Sequence, residues 1–467
     1  MNRKRLAIVG NGMATCRLLD ELLRRKGQET WDITVFGEES HGAYNRILLN
    51  RILTGGTPHD ITMKPNAWYA ERGIHFRSGT RITNLDAMSR KLTDAEGKVH
   101  GYDVAILATG SSAFIPPVEG RSLGGVYGYR TIDDCQRIRS HVRPASSAVI
   151  VGGGLLGLEA AKGLSDLGMH VTVVHRPSTL MNAQVDPPGG EILRRAIERM
   201  GIFVRTGVTL DAILGEEHVE GVKLTDGTLL PADLVVFACG IRPRVELAQQ
   251  AGIPVKQGIL VNDTLATQAP GIYAVGECAE HRGKVYGLVQ PIWEQCEVLA
   301  DLLTASNPQS RYRGSKIYSR LKVAGVEVAS MGVVEPADDR DEVVRIVEER
   351  RDSYRKLIVR DDKLIGAILI GHGATDAAAA LVQLYDRDDP LPENRLEIFC
   401  TTSTGFGSND PEICNCHHVR ESVILGAIGG GCTSLPALAD QTRAGSGCGS
   451  CRGQLTSLLM NHSRASV

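Results

Sequence analysis

Four cysteines near the end of the sequence, Cys414-x-Cys416 and Cys448-x-x-Cys451, form two close thiol pairs separated by 31 residues. Four thiolates paired in this way can hold one [2Fe-2S] rhomb, two ligands to each iron. A tetrahedral zinc site is the alternative that four cysteines leave open, although zinc seldom uses a Cys-x-Cys half. His417 and His418 adjoin the set, but the cysteines complete it, so both read as solvated. The other seven, Cys16, Cys135, Cys239, Cys278, Cys296, Cys400 and Cys432, show no ligand-like spacing and read as small buried hydrophobes.

Two glycine-rich turns carry a second chemistry. Gly10-x-Gly12 follows the apolar run Leu6 to Val9 and precedes a helix-like stretch that begins with Met13 and Ala14. In such a turn the first glycine bends the chain and the second lets the backbone approach a pyrophosphate. The helix N-terminus adds N–H donors and a positive dipole end. Thr15 stands where a third glycine or alanine is usual, so helix-to-strand packing has to accommodate a β-branched side chain. Glu38, beyond the second strand, is the expected ribose acid, with Glu39 as the alternative and a solvated turn acid as the bland reading. The motif returns complete as Gly152, Gly154 and Gly157, with Leu155 and Leu156 in the helix start. Glu159 lies two positions further on, where a helix-surface glutamate is the bland reading. Here the second strand ends in His175-Arg176 instead of an acid. A carboxylate would repel a 2′-phosphate, so its replacement permits NADPH without excluding NADH.

These groups need elements to hold them. Leu6 to Val9, Cys16 to Arg25 and Ile33 to Phe36 read as strand, helix and strand. Ala148 to Val151, a helix through Lys162 and Leu167, and Val171 to Val174 repeat the pattern. From about Tyr312 the strand-like pieces Leu321 to Val328, Lys356 to Val359 and Leu364 to Ile370 precede a helix-like Ala374 to Leu384, which suits a small α+β domain. Thr401 to Pro411 is polar and glycine-containing, as a linker is. Two short helices, Arg420 to Ile428 and Leu435 to Thr442, separate the cysteine pairs, the second with Ser434 as a cap and Pro436 in its first turn.

Ala108-Thr109-Gly110-Ser111 after the strand Val104 to Leu107, and the segment Thr267 to Glu277 with Gly276 and Glu277 at its end, complete a recognisable set. With them the chain resembles the pyridine nucleotide-disulfide reductase superfamily, in the branch without a redox disulfide. No Cys-x4-Cys or Cys-x2-Cys lies near the first loop, so electrons have to leave the flavin by another route. The resemblance implies FAD at the first loop, Ala108, Thr109 and Gly110 included. Glu277 is then near a ribityl hydroxyl, Arg46 at the pyrophosphate and Arg51 near the flavin ring. It implies NADH or NADPH at the second loop and Gly240, with Glu159 at the nicotinamide and paired with Arg51. The C-terminal cysteines and their glycines resemble a bacterioferritin-associated-ferredoxin-like domain.

The implied fold is α/β: two Rossmann-like three-layer domains, a small α+β domain and a small helical [2Fe-2S] domain. The expected boundaries are 1–112 plus 243–310 for FAD, 113–242 for NAD(P) and 311–398 for the α+β domain. A linker at 399–412 and the cluster domain at 413–467 follow. Over its whole length, including Leu321 to Gly325, the chain resembles the reductase portion of assimilatory nitrite reductase large subunits. It also resembles electron-transfer subunits of assimilatory NAD(P)H nitrate reductases. Nitrite reduction would need Cys-x5-Cys and Cys-x3-Cys pairs for a sirohaem and [4Fe-4S] half, and neither spacing occurs in the C-terminal part. A separate molybdenum nitrate reductase subunit is therefore the expected acceptor. A reductase component for nitrite reductase or a soluble ferredoxin- or rubredoxin-type carrier, and a non-enzymatic redox-sensing module, are the other readings.

Composition agrees with small-molecule and protein partners. The 467 residues allow about three domains. Lys and Arg total 52 against 54 Asp and Glu, a formal charge of -2, which provides no basic field for nucleic acid or a membrane surface. The start lacks a signal-peptide pattern and no stretch approaches the ~20 apolar residues of a membrane helix, so a cytoplasmic location is expected.

Overall fold

The computed structural model describes residues 3–323, 325–387, 389–400, 410–414, 417–447, 449 and 451–465. The chain divides into two compact units. The first comprises Met1–Ala113, Arg130–Ile132 and Ile241–Ser315, and the second Phe114–Tyr129, Asp133–Gly240 and Lys316–Val467.

In the first unit the strand Lys4–Val9 has four buried residues in succession, the signature of a strand covered on both faces. It lies in a parallel five-stranded sheet ordered Ile272–Ala274, Val104–Leu107, Lys4–Val9, Trp31–Phe36 and His75–Arg77. An antiparallel meander, Ile82–Asp86, Lys91–Asp94 and Val99–Gly101, packs its Leu85 and Leu92 into the same core as Val9 and Leu107. The helix Met13–Arg24 starts three residues before its sequence-based limit, directly at the glycine turn.

The second unit repeats this design. Its parallel sheet runs Val126–Gly128, Leu234–Phe237, Ser147–Val151, His170–His175 and Phe203–Thr206, with the helix Leu155–Asp166 after the first crossover strand. A second meander, Leu210–Leu214, Gly221–Leu224 and Leu229–Pro231, shares a core of Val149, Val151, Val222 and Phe237.

An antiparallel sheet follows, ordered Tyr318–Val323, Val326–Gly332, Lys363–Ile370, Ser353–Arg360 and Glu342–Glu348. The helix Ala374–Arg387 covers one face over Ala329, Leu357, Ala367 and Leu369. The single strand expected over Leu321 to Val328 is instead a hairpin. Val323 pairs with Val326 and the chain reverses at Gly325, whose φ of 93° suits a glycine. Of the expected linker, Thr401 to Asn409 lie outside the described residues.

The last module opens with a short ribbon, Glu412–Cys414 against Val419–Arg420, and continues in helices Glu421–Gly429, Leu435–Thr442 and Arg452–Ala465. Ile424, Leu438 and Leu455 form its small buried interior. Ser434 caps the middle helix, its side chain accepting from the Ala437 N–H, with Pro436 in the first turn. Among the described residues no helix is long and apolar enough to cross a membrane.

Helix Met13–Arg24 is tied to helix Val289–Leu303 by charge. Glu21, fully buried, pairs with Arg17, Arg24 and Arg25; Arg17 reaches Glu297 and lies over the Trp293 ring, and Arg25 reaches Asp301 at 2.7 Å. Burial alone would raise the Glu21 carboxyl, and the three guanidinium groups outweigh it and hold it below its usual range. Removing one partner of such a group leaves buried charge uncompensated. Glu21→Gln is expected to destabilise the fold by about 3–5 kcal/mol, and Asp103→Asn, at the exposed Arg5 pair, by less than about 1 kcal/mol. Urea unfolding midpoints of the two variants measure the difference.

Candidate functional site

The first loop is built by a close backbone approach. Gly10 has φ of 110°, and a Cβ there would lie 2.1 Å from the Ala108 carbonyl oxygen, so only glycine fits. Gly12 caps the helix in extended conformation, and a Cβ there would meet nothing within 4 Å. Open space in front of helix N–H groups suits a pyrophosphate. Thr15 does more than fit: it is fully buried and its hydroxyl donates to the Gly10 carbonyl at 2.8 Å, bracing the turn. Gly276, with φ of 87°, donates its N–H to Gln295 Oε1 at 2.9 Å, and a Cβ there would touch Ala14 Cβ at 3.0 Å. Thr109 Oγ1 donates to the Arg244 carbonyl, and Gly110 turns the chain with φ of 67°. Asn11 Nδ2 and Gln295 Nε2 are buried with no hydrogen-bond partner among the described residues. Such donors are what a bound polar cofactor satisfies, and the residues present fit FAD.

The acids around this loop are paired with arginines. Glu38 meets Arg244, with Arg81 at 3.7 Å, and Glu39 accepts from Tyr44 Oη and the Arg46 guanidinium, both at 2.6 Å. Burial would raise the Glu39 carboxyl, but Arg46 and Tyr44 bring it below its ordinary value. Arg46 also donates to Tyr44 Oη and to the Arg130 carbonyl. Glu277 accepts from Ser111 Oγ at 2.6 Å and from Arg130. Arg130 and Arg244 were not legible as site residues, since neither stands at a fixed offset from a motif. Burial lowers the Arg130 guanidinium from its usual value even beside Glu277. Arg51, in the short helix Leu49–Leu53, is exposed.

The second loop has the same construction. A Cβ on Gly152 would lie 2.3 Å from the Ala238 oxygen, and one on Gly157 would lie 1.9 Å from the Gly152 oxygen. Gly154 again has open space at the helix cap. Leu155 and Leu156 are half-buried in the first turn, and Gly240, with φ of 119°, accepts the Phe114 N–H. His175 faces inward to the loop: its Nδ1 accepts the Gly153 N–H at 3.0 Å. Nδ1 is therefore unprotonated, and burial lowers the imidazole pKa, which keeps this acceptor. Arg176 is exposed. A cleft lined by Ser178, Thr179, Leu180, Gly190 and Thr206 opens beyond the carboxyl ends of His170–His175 and Phe203–Thr206, where open α/β sheets bind ligands. Tyr129, past the end of the outer strand Val126–Gly128, is 2% exposed, and its hydroxyl has no partner among the described residues.

Cys414 and Cys451 are both buried, at the end of the ribbon strand and just before the last helix. Cys416 and Cys448 lie outside the described residues. Gly445 and Gly449 have φ of 79° and 78°, which frees backbone N–H groups to turn. Two buried thiols, Cys451 beside a glycine-turned loop, fit a cluster. The two histidines have protein neighbours: His417 Nε2 is 2.9 Å from Ser446 Oγ and His418 Nδ1 is 3.2 Å from Glu412. Among the scattered cysteines Cys16, Cys135, Cys278, Cys296 and Cys432 are buried, whereas Cys239 is exposed, its Sγ donating to the Phe114 carbonyl. It lies two residues past the end of strand Leu234–Phe237, at the rim where loops emerge, and so escapes the core.

Glu159 is shielded on the helix Leu155–Asp166, and burial raises its carboxyl from 4.5 to about 7. The folded state thus holds a proton that the unfolded chain has released at intermediate pH. Stability falls as pH rises between these two values and levels off above about 7. Glu159→Gln is expected to abolish that slope, as read from urea midpoints across the same pH window.

Residues 4–298 match the pyridine nucleotide-disulphide oxidoreductase family, 318–379 the rubredoxin NAD+ reductase C-terminal domain and 412–461 the BFD-like [2Fe-2S] binding domain. The chain is 38% identical to Bacillus subtilis nitrite reductase [NAD(P)H], over 99% of its own length and 58% of that protein. It is 37% identical to the assimilatory nitrate reductase electron transfer subunit of the same organism, over 98% of its own length and 60% of that protein. It thus spans about three-fifths of these relatives. Among solved structures, the ferredoxin reductase for the CYP199A2 system from Rhodopseudomonas palustris superposes with a TM-score of 0.74 at 27% identity, covering 83% of this chain and 96% of that one. NADH:rubredoxin oxidoreductase from Clostridium acetobutylicum gives 0.70 at 26%, covering 85% and 99%. The chain belongs to the pyridine nucleotide-disulphide oxidoreductase family, as a form with FAD- and NAD(P)H-binding domains joined to a BFD-like [2Fe-2S] domain.

Proposed function

We propose that this chain is an electron-transfer module of nitrate assimilation: it takes reducing equivalents from NAD(P)H at its second glycine loop and passes them to a separate molybdenum nitrate reductase subunit. The observation that carries this reading is one of extent. About 83–85% of the chain accounts for nearly all of a ferredoxin reductase or a rubredoxin reductase, and residues 412–461 match a [2Fe-2S] binding domain with buried Cys414 and Cys451. An electron carrier attached in the same chain replaces the soluble carrier those reductases serve. The likeness to an assimilatory nitrate reductase electron transfer subunit over 98% of this chain supports the acceptor.

When bound, flavin accepts a hydride and returns the two electrons singly, and the cluster carries one electron at a time. The protein supplies placement. In this reading Gly10, Gly12, Met13 and Ala14 receive the FAD pyrophosphate, with Arg46 held ready by Glu39 and Tyr44. Glu38 turns from Arg244 to a ribose hydroxyl, and Glu277 to the ribityl chain, with Ala108, Thr109, Gly110 and Gly276 allowing close approach. Gly152, Gly154 and Gly157 receive the nicotinamide dinucleotide, with exposed Arg176 able to meet a 2′-phosphate. In the same reading Glu159 serves the nicotinamide and Arg51 the flavin ring. Cys414, Cys416, Cys448 and Cys451 hold the cluster. The FAD part is discontinuous in the same reading, and the compartment is the cytoplasm, where NAD(P)H is available.

A second reading shares the same internal chemistry. The 38% identity to Bacillus subtilis nitrite reductase, of which this chain matches 58%, favours a nitrite-reducing partner.

Anaerobic addition of NADH or NADPH is expected to bleach flavin absorbance at ~450 nm and to raise the EPR signal of a reduced [2Fe-2S] centre. Cys414→Ser should lose the EPR signal while flavin bleaching persists. Reoxidation by a molybdenum nitrate reductase, and not by ferredoxin, supports the acceptor. Zinc in the last domain, without an EPR signal, would overturn the relay.

A further inference from the structure

The central glycine of the second loop is held at both of its backbone groups by one downstream segment. Gly153 N–H donates to His175 Nδ1 at 3.0 Å, and Gly153 C=O accepts from Met181 N–H at 2.9 Å. Side chains close on the same residue: a Cβ on Gly153 would lie 2.5 Å from Leu180 and 2.8 Å from the His175 ring. Met181 is buried and has φ of 49°, a conformation a non-glycine residue keeps only where its surroundings enforce it.

The other end of the segment is anchored. The chain turns at Met181, whose carbonyl accepts from Gln184 and Val185, and reaches Asp186, the N-cap of the helix Pro187–Glu198. Asp186 Oδ1 accepts from Gly189 N–H at 3.1 Å, while Oδ2 accepts from Tyr354 Oη at 2.6 Å and from Lys356 Nζ at 2.7 Å. Lys356 also donates to the Val334 carbonyl and to Glu335, so its three donors are all used. Tyr354 and Lys356 share one face of strand Ser353–Arg360 by the two-residue period, opposite the face that carries Leu357 and Val359 under the sheet's own helix. Two glycines in the first helical turn let three elements meet. A Cβ on Gly190 would strike Thr179 at 2.3 Å, and one on Gly189 would touch Ile370 at 3.0 Å and Tyr354 at 3.4 Å.

A fully buried Lys–Asp pair is weak support for stability, since apolar replacements often serve as well. Here it joins the dinucleotide loop's brace to a different domain. We infer that Asp186, Tyr354 and Lys356 are positioning residues through which the C-terminal antiparallel sheet sets the shape, and so the NAD(P)H affinity, of the loop around Gly153. The inference rests on the second loop being the NAD(P)H site.

The holoprotein tests it by ferricyanide reduction with NADH or NADPH, beside amide hydrogen exchange. The double variant Asp186→Asn, Lys356→Met removes both charges, keeps an N-cap and avoids an unpaired buried ion. Its KM for NAD(P)H is expected to rise about tenfold with kcat nearly unchanged, and the Gly153 and Met181 amides to exchange faster while those of Ser147–Val151 do not. Tyr354→Phe, which keeps the ion pair, should move KM and exchange in the same direction by about twofold, and it decides the matter if the double variant does not fold. Wild-type KM and exchange in these variants, whatever happens to Tm, would overturn the inference. Gly157→Ala is the control: an unchanged KM there would instead show that the loop is not the NAD(P)H site.

Discussion

Both dinucleotide loops depend on one steric constraint, the passage of a glycine directly over the carbonyl of the neighbouring parallel strand. Gly10 and Gly152 approach Ala108 and Ala238 so closely that a methyl group would overlap the carbonyl oxygen. The supporting hydrogen bonds are equivalent. Gly10 and Gly152 donate to Phe36 and Val174, and Ala108 and Ala238 donate to Val9 and Val151. With each turn fixed between three strands, each following helix starts where its N–H groups face open space, which is the requirement for binding a pyrophosphate.

Around that shared frame the two loops are braced differently. The first uses Thr15, whose hydroxyl reaches back to Gly10, and its surrounding acids are held by Arg46, Arg130 and Arg244. The second uses a downstream segment, with a neutral histidine and a strained methionine gripping Gly153. Charge therefore surrounds the first loop before a ligand arrives, whereas the second is braced by hydrogen bonds between neutral groups. A flavin that stays bound and a nicotinamide that must come and go are consistent with that difference.

Carboxylates in this protein divide by environment. Glu21, buried, and Glu39, half-buried, lie next to guanidinium groups that hold them below their usual range, while Glu159 is shielded without such compensation and keeps its proton to near neutrality. The same residue type is thus a fixed charge in one place and a titrating group in another.

The sequence by itself determined the glycine turns, the strand and helix periodicities, the repeated Rossmann halves and the four cysteines. Each of these is a local requirement: a backbone conformation, a two- or 3.6-residue period, or a ligand spacing of a few residues. What only the tertiary structure decided is who meets whom. Glu277 finds Arg130 across 147 positions, Glu38 finds Arg244 across 206, and Asp186 finds Lys356 across 170. His175, at the strand end where an acid is usual, turns 22 positions back to Gly153. The expected strand Leu321 to Val328 became a hairpin for a related reason, since β-branched residues on both sides of Gly325 satisfy either pattern until the sheet offers Val326–Gly332 a second partner. Partner choice is set by packing between distant segments, which no short window of residues encodes.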